Sequence, residues 1–359
     1  AGRRASVQTW NPGTTHDNPA DANTQSQGGA LSGPAAAAGA AWLQAPDMLA
    51  GLKQLQGTSG TLSDAQGARF DAPATLDELR EILRQSPEAR MVAGGTDLSL
   101  EITQQLKDLT HIVGLGGIAE LQEIRESDDG IYIGAGATYT SMFHKLEQRW
   151  PHYGPMLERL GSLQVRNRGT VGGNVGNASP IGDMPPTLIA LGATLELDSA
   201  KGTRKMPVQD FFLDYKKTAL KAGEFIRGVW IPAPQPDEQL FIYKISKRID
   251  DDISAVLAAL WVKRDGDQIT DCRLAYGGMA AIPKRAAGAE AQIKGKAWNQ
   301  TTIFNAISAM EKEFDPMSDV RSSAAYRLQV AGNLLQRAFL ESTQDATQTH
   351  QPLMVTDYA

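Results

Sequence analysis

Cysteine is almost missing from this chain. Among 359 residues only Cys272 carries a thiol. One thiol can build neither a disulfide framework nor, within this chain, an iron–sulfur cluster. Histidine is scarce as well: five residues, at 16, 111, 144, 152 and 350, with no metal-ligand spacing. His111 and His144 read as packing or surface residues, and no Ser/His/Asp arrangement stands out. Long apolar runs are absent. The longest, 255–262, falls far short of the ~20 residues of a membrane-spanning helix. Basic stripes are absent too, and the net charge is −6, so nucleic acid is not an expected partner. No G-x-x-x-x-G-K-[ST] occurs, and Gly134-Ala135-Gly136 after a strand-like segment lacks the third glycine of a dinucleotide fingerprint. The sequence thus offers no hydrolase or metal chemistry of its own. A redox role needs a bound organic cofactor.

Glycine, by contrast, is concentrated. Residues 169–183 read GTVGGNVGNASPIGD, with five Gly, two Asn, one Ser and one Asp. Each Gly inside a helix or strand costs up to ~1 kcal/mol relative to Ala, so this composition predicts a loop. Gly lets a backbone approach a ligand closely, while amides and hydroxyls supply uncharged hydrogen bonds. Residues 90–98, RMVAGGTDL, read as strand, glycine turn and helix start, with Thr96 and Asp97 as capping types and a helix over 97–107. Such a turn points free N–H groups at an anion. Alone it reads equally as an ordinary tight turn. Two such loops about 75 residues apart suggest an extended ligand with a pyrophosphate centre.

Hydrophobic residues make up 42% and charged residues 21%, a globular composition long enough for two or three domains. Residues 1–40 hold only Val7, Trp10 and Leu31 as large apolar side chains, too few to offset ordering entropy, so a disordered linker is expected. Arg3-Arg4 are not followed by an apolar core, so no secretory signal is read and a cytoplasmic location is expected. Trp42, Leu43, Met48, Leu49, Leu52 and Leu55 are spaced like one face of a short docking helix within a linker over 41–66. A first domain follows over 67–238. Thr75 and Glu78 form a capping box for a helix over 76–85. Strands are read at 90–93, 111–115, 121–126, 131–134, 193–197 and 226–231, with helices at 138–148 and 155–163. A second domain over 239–343 opens with a strand at 240–245. A hairpin then crosses Asp265-Gly266-Asp267, and amphipathic helices run around Ile303 to Met310 and over 320–341. Cys272, alternating with Leu274 and Tyr276, reads as core. Gly277-Gly278 reads as a strand end. A flexible tail is expected over 344–359.

Four motifs in order carry a resemblance: AGGTDL at 93–98, RNRGTVGGNVGNASPIGDMPP at 166–186, YKISKRIDDDISAV at 243–256 and YGGMAAIPKRA at 276–286. From about Phe70 to about 343 the chain resembles the flavoprotein part of the molybdenum hydroxylases. Within that family it is most similar to the FAD portion of bacterial xanthine dehydrogenase small subunits. The resemblance implies an α+β fold, with a p-cresol methylhydroxylase-type FAD-binding domain followed by a CO-dehydrogenase-flavoprotein-type C-terminal domain. It implies FAD pyrophosphate on Met91, Val92, Ala93, Gly94, Gly95, Thr96, Asp97 and Leu98. It places Leu160 beside the flavin, and Thr170, Gly173, Asn174, Asn177 and Ser179 on the polar chain. Asp183 becomes a hydrogen-bond partner, Ile226 an apolar contact and Lys244 the cation near the ring. Lys247 to Asp252 would form a loop where a nicotinamide docks, with Arg248, Asp251 and Asp252 setting access. The three aspartates read equally well as a solvated turn.

The resemblance also implies chemistry and partners. Electrons would come from [2Fe–2S] clusters, fed by oxidation of hypoxanthine or xanthine at a molybdopterin centre, and leave as hydride to NAD⁺. The family's small subunit usually starts with two [2Fe–2S] domains carrying eight cysteines. Their absence implies an iron–sulfur domain or chain elsewhere, beside a molybdenum-binding large subunit, in a hetero-oligomer. Two alternatives stay open: the flavin subunit of a CO, nicotinate or aldehyde hydroxylase, and a flavin-free assembly module.

Overall fold

The computed structural model describes residues 46–55 and 57–343. The linker read over 1–40, Trp42 and Leu43 of the docking-helix face, and the tail 344–359 lie outside the described residues, as do the side chains of Leu49, Leu52 and Leu55. Residues Pro46–Leu55 do form a helix, in a unit separate from the one that begins at Gly57.

From Gly57 on, three larger sheets follow one another, beside a two-stranded one, Phe212–Asp214 with Lys217–Thr218. The first has the order Gly60–Ser63, Arg69–Ala72, His111–Gly114, Arg90–Val92. Its first pair is antiparallel and the others parallel. The helix Leu76–Gln85 covers it and buries Leu76, Leu79 and Leu83 against Val113, Ile118 and Leu121. Its start follows the sequence reading at Thr75, while the Glu78 side chain reaches one residue beyond the cap. Thr75 Oγ1 accepts the Glu78 N–H at 3.2 Å, and the Glu78 carboxylate accepts the Ala74 N–H at 2.7 Å. Thr75→Ala is expected to cost about 1 kcal/mol, checked by urea denaturation.

The second sheet is antiparallel throughout: Ile124–Ser127, Gly130–Gly134, Phe225–Pro232, Thr194–Ser199, Gly202–Pro207. Its inward residues Ile131, Ile133, Leu195, Leu197, Val229 and Ile231 share one core with residues of the helices Tyr139–Arg149, Tyr153–Glu158, Val171–Gly176 and Met184–Ala190. The third sheet runs Glu238–Ile245, Val256–Asp265, Gln268–Gly277, Lys284–Arg285. The helices Ala287–Ile293, Gln300–Glu313 and Ala324–Thr343 contribute to the core on one face. The other face, with Leu240, Ile242, Leu257, Ala259 and Trp261, joins the core of the second layer. Burial on both faces explains why 255–262 is continuously apolar instead of alternating. Cys272 is buried in that third layer, and the hairpin across Gly266 forms as read.

Several local readings are corrected. The glycine stretch contains a helix, Val171–Gly176. Its glycines are tolerated because the backbone must pack where a side chain has no room: a Cβ at Gly172 would lie 2.6 Å from the Ala135 carbonyl oxygen. The helix read over 97–107 is only Leu98–Thr103, and Asp97 makes no capping bond. Its apolar residues Leu100, Ile102 and Leu106 are exposed, and Leu106 takes a positive φ of 52° just beyond the helix end. The strand read over 121–126 is a 3-10 turn, Ala119–Leu121, followed by Ile124–Ser127, because Leu121 points into the first core. The helix read over 155–163 is two, Tyr153–Glu158 and Leu163–Arg168, parted at Gly161, where φ is 58°. The strand Gly202–Pro207 escaped sequence reading because it is mostly exposed and polar.

Candidate functional site

The two glycine loops meet. Strand Arg90–Val92 delivers the first loop to the start of the second, where a Cβ on Gly94 would fall 1.8 Å from the Arg168 carbonyl oxygen. Only hydrogen fits there. Gly95 follows with a φ of 73°, a conformation L side chains rarely adopt. Among the described residues the N–H groups of Gly94, Gly95, Thr96 and Asp97 find no acceptor. Orphan donors in successive residues form a concave anion site. The helix that follows is clasped back to the strand by Arg90, which donates to both oxygens of Glu101 at 2.6 and 3.0 Å. Those bonds, with one from Lys107, hold the Glu101 carboxyl at about 2. Its folded value is depressed, so the clasp is intact above the ordinary carboxylate range and weakens only as pH falls from ~4 toward that value.

The second loop is anchored from below. Thr170 Oγ1 accepts the Gly173 N–H at 3.0 Å and caps the short helix, while the Gly172 N–H donates to Ala135 at 2.9 Å. Asn174 Oδ1 accepts the Met184 N–H at 3.3 Å, which fixes the amide and leaves its NH₂ free to donate elsewhere. The side chain of Asn177 has no hydrogen-bond partner among the described residues.

Between the loops lies a cleft of about 520 Å³, a size usual for small-molecule sites. Its lining includes the residues 91–98 together with Leu160, Thr170, Gly173, Asn174, Asn177, Ser179 and Ile226. Five sequence-predicted site residues stand outside that lining: Asp183, Lys244, Arg248, Asp251 and Asp252. Sequence reading missed several that belong to it, among them Ala135, Tyr139, Phe225 and Ile253. The broken fingerprint at Gly134-Ala135-Gly136 was the available signal for Ala135. Tyr139 is fully buried under Gly169, and desolvation drives its phenol well above the ordinary value.

Asp183 and Lys244 form a pair of their own. Lys244 Nζ donates to Asp183 Oδ2 at 2.6 Å, and Ser254 Oγ donates to Oδ1, also at 2.6 Å. All three are buried. Lys244 lies on the edge strand of its sheet yet is only 5% exposed. Between Lys244 and Ser254 runs the segment 246–253. Arg159 grips its first half, donating to Lys244 O at 2.7 Å, Ser246 Oγ at 2.8 Å and Ile249 O at 3.3 Å. Sequence reading missed Arg159, which adjoins the cleft residue Leu160. Within the loop the Asp252 carboxylate accepts the Arg248 N–H and guanidinium, and these bonds pull its carboxyl down to about 2. Arg248 and Asp251 are exposed, Asp251 at a φ of 47°.

These features fit a flavin dinucleotide. Unpartnered N–H groups suit a pyrophosphate, the free amides suit a polyol chain, and Leu160 and Ile226 offer apolar walls for a ring. Among the described residues no helix is long and apolar enough to cross a membrane, and no cluster of His, Cys, Asp and Glu is suited to a metal.

Comparison with known proteins agrees with this geometry. Residues 66–234 match the family model of the FAD binding domain in molybdopterin dehydrogenase, and residues 241–342 match that of the CO dehydrogenase flavoprotein C-terminal domain. The glyceraldehyde dehydrogenase medium chain of Sulfolobus acidocaldarius is 32% identical over 269 residues, covering 74% of this chain and 95% of the relative. The xanthine dehydrogenase of Emericella nidulans is 32% identical over 72% of this chain, which spans only 20% of that protein. Among solved structures, the carbon monoxide dehydrogenase of Hydrogenophaga pseudoflava superposes with a TM-score of 0.71 at 28% identity, over 75% of this chain and 94% of that one. Quinoline 2-oxidoreductase of Pseudomonas putida 86 gives 0.69 at 29% identity, over 76% and 95%.

Proposed function

The chain belongs to the molybdenum-hydroxylase flavoprotein family, and from that premise we propose that it is the FAD-bearing electron-exit module of a xanthine dehydrogenase that reduces NAD⁺. FAD bound in the cleft would supply two-electron exchange between iron–sulfur centres and a nicotinamide. Those centres, and the molybdopterin that oxidises hypoxanthine or xanthine, would lie on partner domains or chains in a hetero-oligomer.

Each part of the site then has a task. The N–H groups of residues 94–97 bind the pyrophosphate. Asn174 and Asn177 orient the ribityl chain, while Leu160 and Ile226 hold the ring and keep water from its faces. Thr170, Gly173 and Ser179 complete the polar wall. Lys244, paired with Asp183, whose other oxygen Ser254 holds, places a cation at the root of the loop that ends in Ile253. A cation near the ring favours anionic reduced flavin. The observation that carries the acceptor reading is that Ile253, which closes the KRIDDD segment, lines the cleft. That supports reading the exposed Arg248 and Asp251 as residues on the approach to the ring.

One observation favours a second reading. The archaeal relative is a separate medium chain matched over 95% of its length, which fits an aldehyde-oxidising complex assembled from individual chains. Purifying this chain with its partners and supplying hypoxanthine, xanthine, glyceraldehyde, nicotinate and CO in turn separates the two. Purine-dependent NADH formation is expected. Turnover of an aldehyde alone would replace the purine reading with the second.

Asn177→Ala is expected to weaken FAD binding about tenfold, the worth of one good hydrogen bond to a fixed partner. The melting temperature of the FAD-free chain should not move, since no internal bond is lost. Equilibrium titration of FAD with the variant checks this.

A further inference from the structure

Arg327 lies on the last helix, Ala324–Thr343, far in sequence from either glycine loop. Its residue is only 1% exposed, and its Nε–H is buried with no acceptor among the described residues. Burying a guanidinium is costly, and an apolar side chain of similar volume is often the more stable choice in such a place. What the charge does there is specific. Nη2 donates to Asp319 Oδ1 at 2.8 Å, while Nη1 donates to two backbone carbonyls, Ala255 and, at 3.1 Å, Gly278.

Both carbonyls belong to segments that touch the second glycine loop. The Gly278 N–H donates to Pro180 O at 2.8 Å, in a conformation with φ of 81°. The Ala255 N–H donates to Ile245 O at 2.8 Å and so closes the base of the 246–254 loop. Its neighbour Ser254 holds Asp183 at 2.6 Å. The two segments press together at the guanidinium: a Cβ on Gly278 would fall 2.3 Å from the Ala255 oxygen.

We propose that Arg327 is a positioning residue for the flavin site. By gathering the carbonyls of Ala255 and Gly278 on one nitrogen, it fixes both the Pro180–Asp183 part of the glycine loop and the root of the neighbouring acceptor loop from behind. It touches no cofactor itself. Only a planar fork with several donors in fixed directions serves two carbonyls and a carboxylate together, so lysine does not replace it. The inference rests on the FAD reading given above.

The test uses the full chain and its Arg327→Lys, Arg327→Met and Asp319→Asn variants, with Met310→Ala as a core change remote from the loops. FAD affinity and the flavin midpoint potential are read beside the melting temperature. Arg327→Met is expected to weaken FAD at least about tenfold and to shift the potential, as small misplacements of a binding group do. Arg327→Lys should fail to restore either. Asp319→Asn, a milder change at a partly exposed carboxylate, should move both in the same direction by less. Met310→Ala should lower the melting temperature alone. If Arg327→Met, or Asp319→Asn should the former not fold, keeps wild-type affinity and potential, the proposal is overturned. A wild-type chain that binds no FAD would instead overturn the site reading on which it rests.

Discussion

A Gly94→Val chain is expected to leave purification colourless. The added Cβ would fall 1.8 Å from the Arg168 carbonyl oxygen and 2.4 Å from its carbon. Both atoms are backbone, so no side-chain rotation relieves the clash. Either the first loop withdraws or the start of the second does, and the cleft that both line opens along its length. An extended ligand gripped from both sides loses its geometry rather than one contact. Misplacement of about 1 Å in a binding constellation can cost ~100-fold, and this clash demands at least that. The matched control is Gly116→Ala, where a Cβ meets nothing within 4 Å and flavin content should be unchanged. Flavin absorbance per chain after gel filtration reads the result. Full occupancy in the Gly94→Val chain would separate the two loops functionally and end the bipartite reading.

The second large effect comes from Lys244→Met. Removing the cation leaves Asp183 buried with Ser254 as its only side-chain partner among the described residues. Stranding one member of a buried ion pair costs about 3–5 kcal/mol. Replacing both members removes the charge problem, so the Lys244→Met/Asp183→Asn double variant should recover most of that loss. The signature is strong non-additivity in urea denaturation. Losses that simply sum would mean that the two groups do not hold each other. In the Lys244→Met chain that still binds FAD the flavin potential should fall, because the cation is gone while the Asp183 carboxylate stays; in the double variant, where both charges are gone, it should return toward the wild-type value. An unchanged potential in the Lys244→Met chain would remove Lys244 from the flavin's environment.

Much of the frame was readable because local chemistry dictated it. The Thr75–Glu78 capping box, the hairpin at Gly266 and the buried Cys272 each follow from residues a few positions apart. So did the two glycine loops, since closely approaching backbones demand glycine wherever they occur in the sequence. The helix Val171–Gly176 was not readable, because its stability comes from Ala135 and Thr170 packing and capping it, not from propensity. Lys244 reads as a functional cation only through the resemblance, since nothing in its local sequence marks a buried lysine. Its burial depends on Asp183, which is distant in sequence. Arg159 and Arg327 act on backbone carbonyls of remote segments, and carbonyls leave no trace in a sequence. The exposed Leu100, Ile102 and Leu106 show the opposite error: a helical apolar spacing that the fold leaves uncovered.

The central claim is that the loop ending in Ile253 opens the FAD cleft to a nicotinamide. Anaerobic rapid mixing tests it most directly: the FAD-loaded chain is reduced chemically, freed of excess reductant, and mixed with NAD⁺. One NADH per flavin, formed in step with return of the oxidised flavin spectrum and slowed in the Lys244→Met chain, is the predicted result. A flavin that stays reduced in the presence of NAD⁺ and reoxidises only with oxygen would contradict it.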